Sequence, residues 1–266
     1  MIKAIVAGAA GRMGGRIIHM ISQTEGIELA ASFDKPGNNA IGQDAGIIAG
    51  CGELGVKISD SLESVIDQGD VIIDFTFHTA TLEHARHAAS KGKAMVIGTT
   101  GFTNEELDEI KKLSETFPCV LAPNMSVGVN LLYKLIDMAA KVLEEDYDIE
   151  IIEAHHRLKK DAPSGTALQL ARVAANARGK KLEDLAIYER YGIIGERPRG
   201  QIGIQTVRAG DIVGEHTVLF GGTGERIEIV HKASSRDTFA SGAVRAAKWI
   251  VDKSAGMYSM LDVLGI

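Results

Sequence analysis

Two short stretches of the 266-residue chain place reactive side chains at spacings that chemistry uses. The first is Glu153-Ala154-His155-His156-Arg157-Leu158-Lys159-Lys160-Asp161-Ala162-Pro163-Ser164-Gly165-Thr166, with two histidines, an arginine and two lysines inside six residues. Histidine titrates near neutral pH, and lysine can donate a proton or bind a carboxylate. Pro163 followed by Ser164 reads as a helix start with Ser164 as its cap. Backbone N–H groups at Gly165 and Thr166 would then form an anion site. A pair of histidines alone would more simply be structural, but a cationic loop beside an anion site suits a small substrate carrying carboxylates. A zinc site is not expected, because adjacent histidines on an extended chain point to opposite sides and no cysteine or carboxylate completes a ligand spacing.

The second stretch is Gly8-Ala9-Ala10-Gly11-Arg12-Met13-Gly14, directly after the apolar run Ile2–Ala7. Three glycines serve three purposes in such a turn: a tight reversal, close backbone approach to a pyrophosphate, and close packing of helix on strand. N–H groups at the following helix start then hold the anion. The spacing is a variant of the usual dinucleotide pattern, and by itself it fits any glycine turn of an α/β protein. Asp34, 20 residues beyond Gly14, stands where a ribose-binding acid is expected. Lys35 next to it can meet a 2′-phosphate, so NADPH and NADH are both expected cofactors. In sheets of this type the ligand lies beyond the carboxyl ends of the strands. Gly98, Thr99 and Thr100 after one strand, and Ala122, Pro123, Asn124 and Met125 after the next, are therefore candidates for the nicotinamide end.

The elements that must position these groups can be read from periodicity. Apolar runs at Ile2–Ala7, Ile27–Phe33, Val71–Phe75, Ala94–Ile97 and Cys119–Ala122 suit strands buried on both faces of a parallel sheet. Met13, Ile17 and Met20/Ile21 form a helical stripe, and Thr103 with Glu106 has capping-box spacing. Alternation of this kind implies a doubly wound, Rossmann-like α/β sheet. After about residue 125 the pattern changes to helices over Val127–Glu144 and Ser164–Ala177, then strands at Gly203–Arg208, Val213–Phe220 and Ile227–Ala233. The links Ala209-Gly210-Asp211 and Gly221-Gly222-Thr223-Gly224 read as hairpin turns, giving an α+β domain with an antiparallel or mixed sheet. A last helix spans about Thr238–Lys253. The expected division is 1–126 for the dinucleotide, 127–235 for substrate and oligomerisation, and 236–266 returning to the first domain.

Composition limits the alternatives. Hydrophobic residues at 45% and charged residues at 24% can build a core of ordinary size. A net charge of −6 argues against a nucleic-acid partner, whose footprint is a broad basic face. No apolar run approaches the ~20 residues of a membrane span. Lys3 leads straight into a short strand and glycines, which predicts no secretory signal and a cytoplasmic location. Cys51 and Cys119, far apart, are expected as reduced thiols.

The run from His155 to Ala167 carries the unbroken pattern HHxxKxDAPSGTA, and through it the chain resembles the 4-hydroxy-tetrahydrodipicolinate reductase (dihydrodipicolinate reductase) family. Val6–Gly14, Val96–Phe102, Asn124–Asn130, Val207–His216 and His231–Arg236 support the resemblance end to end. The resemblance implies NAD(P)H on Gly8–Met13, with Asp34 at the adenosine ribose and Lys35 by the 2′-phosphate. It implies nicotinamide contacts at Gly98, Thr99, Thr100 and Ala122–Met125, and catalytic roles for His155 and Lys159. His156, Gly165 and Thr166 would hold the substrate, and the second domain would join neighbouring copies into a homotetramer. Family members commonly have Glu-Arg where this chain has Asp34-Lys35, and some carry an arginine near Phe77-His78. Another two-domain nicotinamide dehydrogenase, or a dinucleotide sensor without chemistry, would share the glycine turn but gives no reason for the HHRLKKDAPSGT segment.

Overall fold

The near-continuous apolar runs become adjacent parallel strands in the computed structural model, which describes residues 1–266. The chain divides into two units, Met1–Val127 with Arg236–Ile266, and Gly128–Ser235. In the first, β1 (Ile2–Ala7), β2 (Ile27–Phe33), β3 (Ile58–Ser59), β4 (Val71–Asp74), β5 (Ala94–Ile97) and β6 (Pro118–Leu121) line up in the order β6-β5-β4-β1-β2-β3. All these pairs are parallel, so the strands end along one edge. The order reverses beside β1, the position where such sheets open a crevice for a ligand. Helices α1 (Arg12–Ser22), α2 (Ala45–Ala49), α3 (His78–Lys91) and α4 (Asn104–Leu113) connect them.

Alternation along β1 explains the two cores. Ala4 and Val6 pack on one face with Ile17, Ile18 and Ile21 of α1, while Ile5 and Ala7 pack on the other with Leu82 and Ala85 of α3 and Ile110 of α4. Each fully buried isoleucine contributes about 1.5–3 kcal/mol over an exposed one. Two elements escape periodicity: β3 has two residues, and α3 turns Thr81, Leu82, Ala85 and Ala88 inward, a face with one large apolar side chain among small and polar ones.

The second unit begins with α5 (Val127–Leu143) and β7 (Asp148–His155), followed by α6 (Gly165–Ala177), β8 (Ala186–Ile187), β9 (Ile202–Arg208), β10 (Gly214–Gly221) and β11 (Arg226–Ala233). Leu132, Ile136 and Ala140 of α5 and Ala167, Leu170, Ala171 and Ala174 of α6 pack with Ile149, Ile151, Ile204, Val218 and Phe220 of the sheet. The sheet is mixed, in the order β11-β10-β7-β9-β8, with β7 parallel to β9 and antiparallel to β10.

That order corrects one expectation. Gly221–Gly224 does join the hairpin β10–β11, but Ala209–Asp211 is not a hairpin turn, because β9 and β10 are separated by β7. The link instead passes the end of β7: Ala209 N–H donates to the His155 carbonyl (2.9 Å) and Arg157 N–H to that of Gly210 (3.2 Å). The physical reason lies in β7 itself. Its inward positions Glu153 and His155 are polar, and only a central strand can receive partners from both sides.

The chain then re-enters the first unit. In α7 (Asp237–Ile250), Ala240, Ala243, Val244, Ala247 and Ile250 complete the core over β1, β4 and β5. Strand β12 (Gly256–Tyr258) adds in parallel beside β6, and α8 (Met260–Leu264) ends the fold.

Candidate active site

The glycine turn is shaped by what a side chain would strike. Gly8 has φ +65°, and a Cβ there would lie 2.9 Å from Thr76 Cγ2. A Cβ on Gly11 would sit 3.0 Å from the Gly8 carbonyl oxygen, and one on Gly14 would overlap that same oxygen and the Ala9 backbone. Gly11 also caps α1 without a side chain, so the first-turn N–H groups have no side-chain acceptor. Asp34 directly follows β2, almost fully buried. Its carboxylate accepts from Ala10 N (2.9 Å), Lys35 N (2.8 Å) and Asn38 Nδ2 (2.9 Å). A carboxylate has about four acceptor sites, so Asp34 braces the turn and retains room for about one more donor. Gly8, Ala10, Gly11, Arg12, Met13, Asp34 and exposed Lys35 border a cavity of about 830 Å³ that lies wholly within the first unit. Ala9 lies behind it, buried, its N–H on the Phe33 carbonyl. Backbone that admits no Cβ, an open helix start, an acid and a cation together fit a dinucleotide.

The second cluster belongs to the end of β7. Burial alternates through Ile149, Ile151, Glu153 and His155, so the inward face turns from apolar to polar at its carboxyl end. Glu153 is 0% exposed and meets His155 Nδ1 at 2.5 Å. Both Arg208 Nη atoms donate to it (2.8 Å each), with Ser164 N at 3.0 Å and Thr206 Oγ1 at 3.3 Å. Burial would raise the Glu153 pKa, but the hydrogen bonds from Arg208, His155 and Ser164 outweigh it and hold the carboxyl at about 2. For His155, burial, with the charges of Lys159 and Arg208, lowers the pKa more than the hydrogen bond and charge of Glu153 raise it. The ring is therefore neutral at pH 7. An ionised carboxylate only accepts, so Nδ1 carries the proton and Nε2 a lone pair. Gly214 faces that nitrogen, where a Cβ would lie 3.1 Å away.

Around this pair the loop brings the other predicted groups. Lys159 Nζ pairs with Asp161 at 2.9 Å, in a turn closed by Lys159 N–H to the His156 carbonyl. His156 has a buried Nδ1 without a hydrogen-bond partner. Ser164 caps α6 by accepting Ala167 N–H at 3.2 Å, and exposed Gly165 with Thr166 opens the helix. His216, from β10, meets Ser164 Oγ at 3.2 Å and packs edge-on against His155, ring centres 5.2 Å apart. Burial above all holds it at about 4.

Comparison with known proteins decides between the readings. The family model described as "Dihydrodipicolinate reductase, N-terminus" matches residues 2–125, and that described as "Dihydrodipicolinate reductase, C-terminus" matches 128–264. The chain belongs to the dihydrodipicolinate reductase family. Curated relatives named 4-hydroxy-tetrahydrodipicolinate reductase include one from Desulfotalea psychrophila, 60% identical over 100% of this chain and 99% of its own. Another, from Syntrophobacter fumaroxidans, is 56% identical over the whole of both chains. Among solved structures, a dipicolinate-bound dihydrodipicolinate reductase from Paenisporosarcina sp. TG-14 superposes with a TM-score of 0.79 at 29% identity, covering 98% of each chain. A DAP dehydrogenase from C. glutamicum shares the fold alone, at 12% identity and TM-score 0.54 over 98% of this chain and 93% of its own.

Within this member of the dihydrodipicolinate reductase family, the residues read as a nicotinamide end lie apart from the 830 Å³ cavity but on the same strand edge. Gly98 N–H bonds the Asp74 carbonyl (2.9 Å), and buried Thr99 shares its hydroxyl with Thr81 at 2.8 Å. Thr100 and Pro123 are exposed, Asn124 Oδ1 accepts from Ser126 N (2.9 Å), and Ala122 and Met125 are buried. Asp74 anchors this edge. Burial raises its pKa, but His84 at 2.6 Å and Thr76 more than reverse that. Periodicity and motif reading did not single out Glu153, Arg208, His216 or Asp74. An acid at an inward strand position, two residues before a histidine, was the available signal for Glu153.

Proposed function

We propose that the chain catalyses NAD(P)H-dependent reduction of 4-hydroxy-tetrahydrodipicolinate to tetrahydrodipicolinate, with loss of water, in bacterial diaminopimelate and lysine biosynthesis. The observation that carries this reading is the His155–Glu153 pair beside Lys159 and the capped start of α6, in a chain whose two halves both match the family. Gly8–Met13, Asp34 and Lys35 would hold the dinucleotide, and Gly98–Thr100 with Ala122–Met125 its nicotinamide end. When bound, that cofactor donates the hydride that ends on C4 of the substrate ring.

The chain's own residues do the rest. Gly165 and Thr166 N–H groups, with His156, hold the ring carboxylates and so orient the carbon to be reduced. The electron pair displaced onto the ring system needs a proton. Lys159 carries one as an ammonium, whereas His155 is neutral with its lone pair on Nε2. Lys159 is accordingly the donor, and Nε2 of His155 accepts a hydrogen bond that fixes the reacting ring. The test is an assay with the aldol product of pyruvate and aspartate semialdehyde, run with NADH and NADPH in parallel. Cofactor oxidation only on adding that compound is expected; none would remove this reading. In the same assay Lys35→Gln raises the KM for NADPH about tenfold, as loss of one charge-assisted contact should, and leaves that for NADH unchanged.

A homotetramer built through the second unit is part of the proposal. Ile152, Val207 and Val230 are 40%, 43% and 47% exposed on the sheet. Apolar strand faces of this kind ask to be covered. Sedimentation equilibrium should give four times the chain mass of 28.4 kDa, and a monomer would refute it. No helix is long and apolar enough to cross a membrane; a cytoplasmic location is proposed with the biosynthetic role.

A further inference from the structure

Glu153 is the only inward-facing acid of β7, where the preceding inward positions are Ile149 and Ile151. A bare carboxylate there would be very costly to bury, and its partners define what it does. Arg208 supplies the compensating charge through two parallel hydrogen bonds. Charge balance does not account for the remaining contacts. Oε2 faces His155 Nδ1 at 2.5 Å, and Oε1 takes the backbone N–H of Ser164, the cap of α6, at 3.0 Å.

We propose that Glu153 is a positioning residue for the reduction, one carboxylate that fixes both the Nδ1–H tautomer of His155 and the place of the α6 start. The inference rests on the reading of His155 as a site group and of Gly165–Thr166 as the carboxylate holder. Because the anion can only accept, it selects the proton on Nδ1 and leaves Nε2 bare beside Gly214. Because the same group holds Ser164, the lone pair on Nε2 and the N–H groups of α6 are set at one distance. The planar fork of Arg208 keeps the carboxylate from rotating away from either task. Thr206 Oγ1, at 3.3 Å from Oε1, adds a donor from β9.

An amide in place of the carboxylate can serve only one of the two sides. With its oxygen toward Ser164, Glu153→Gln points its NH₂ at Nδ1 and selects the opposite tautomer. The experiment is nitrogen-15 histidine NMR on the wild type and Glu153→Gln, together with steady-state kinetics. The wild type is expected as Nδ1–H at His155 and the variant as Nε2–H. The variant's kcat should fall about 10²–10⁴-fold, the range for a misprotonated histidine, with KM changed far less. Glu153→Asp, still an anion, should keep the Nδ1–H form and recover part of kcat. A wild-type Nε2–H form overturns the proposal without need of any variant. So does a Gln variant that keeps both the Nδ1–H form and wild-type kcat. Failure of the reductase reading itself shows separately, as a wild type that oxidises no NADPH while its tautomer is still read.

Discussion

Lys159→Ala should lower kcat by about 10²–10⁴-fold, the worth of a positioned proton donor, while NADPH binds with unchanged Kd. The separation follows from placement. Lys159 belongs to Gly128–Ser235, whereas Gly8, Ala10, Gly11, Arg12, Met13, Asp34 and Lys35 border a cavity made by the first unit alone. His155→Ala should lose most of kcat as well, but with a different signature. Burial holds the His155 pKa below its usual 6.5, so the neutral ring persists somewhat below that pH in the wild type. As pH falls through the depressed value the ring gains a proton, Nε2 loses its lone pair, and kcat/KM should drop. In His155→Ala that acid limb should vanish from the residual activity, whereas Lys159→Ala should retain it. Calorimetric titration with NADPH and a pH series of kcat/KM check both statements. Near-normal turnover in the two variants would sink the assignment.

Arg208→Met should be the most damaging single change to the second unit. It preserves length and packing but leaves Glu153, 0% exposed, without its countercharge. Stranding a buried charge in this way costs about 3–5 kcal/mol. In the wild type Glu153 titrates at about 2 rather than at the ordinary 4.5. Its contribution to stability is therefore complete above 4.5 and disappears as pH falls through about 2. Removing Arg208 raises that carboxyl's pKa, so protonation relieves the variant at a higher pH. Urea unfolding should show a larger difference from wild type at pH 7 than at pH 4. A difference that does not change with pH would mean Arg208 acts by packing and not by charge.

The first unit was largely legible because its signals are local. Gly8, Gly11 and Gly14 announce a strand-to-helix turn within seven residues, and Asp34 follows at the distance set by one βαβ unit. The boundaries of β1, β2 and β5 agree with the apolar runs to the residue. Helix α3 was not legible, since Leu82 is the one large apolar side chain on an inward face otherwise made of Thr81, Ala85 and Ala88. The loop after β7 announced itself by composition, but its supports did not. Arg208 and His216 reach Glu153 and His155 only through cross-strand register, from strands more than 50 residues away. The misread turn at Ala209–Asp211 has the same origin. Strands adjacent in sequence were paired, while a polar inward face on β7 required that strand to stand between them.

The return of Arg236–Ile266 to the first unit has a consequence for synthesis. Domains tend to fold as they emerge, the amino-terminal one first. Here residues 1–127 emerge with α1 already packed on β1 but the same face of β4 and β5 only partly covered, because Ala240, Ala243, Val244, Ala247 and Ile250 follow the second unit in the chain. The middle of the chain, with its own core between α5, α6 and the mixed sheet, has all its parts by residue 235. The first unit is thus the last to be roofed, and a chain stopped after Ser235 would hold a finished second unit and an open first one.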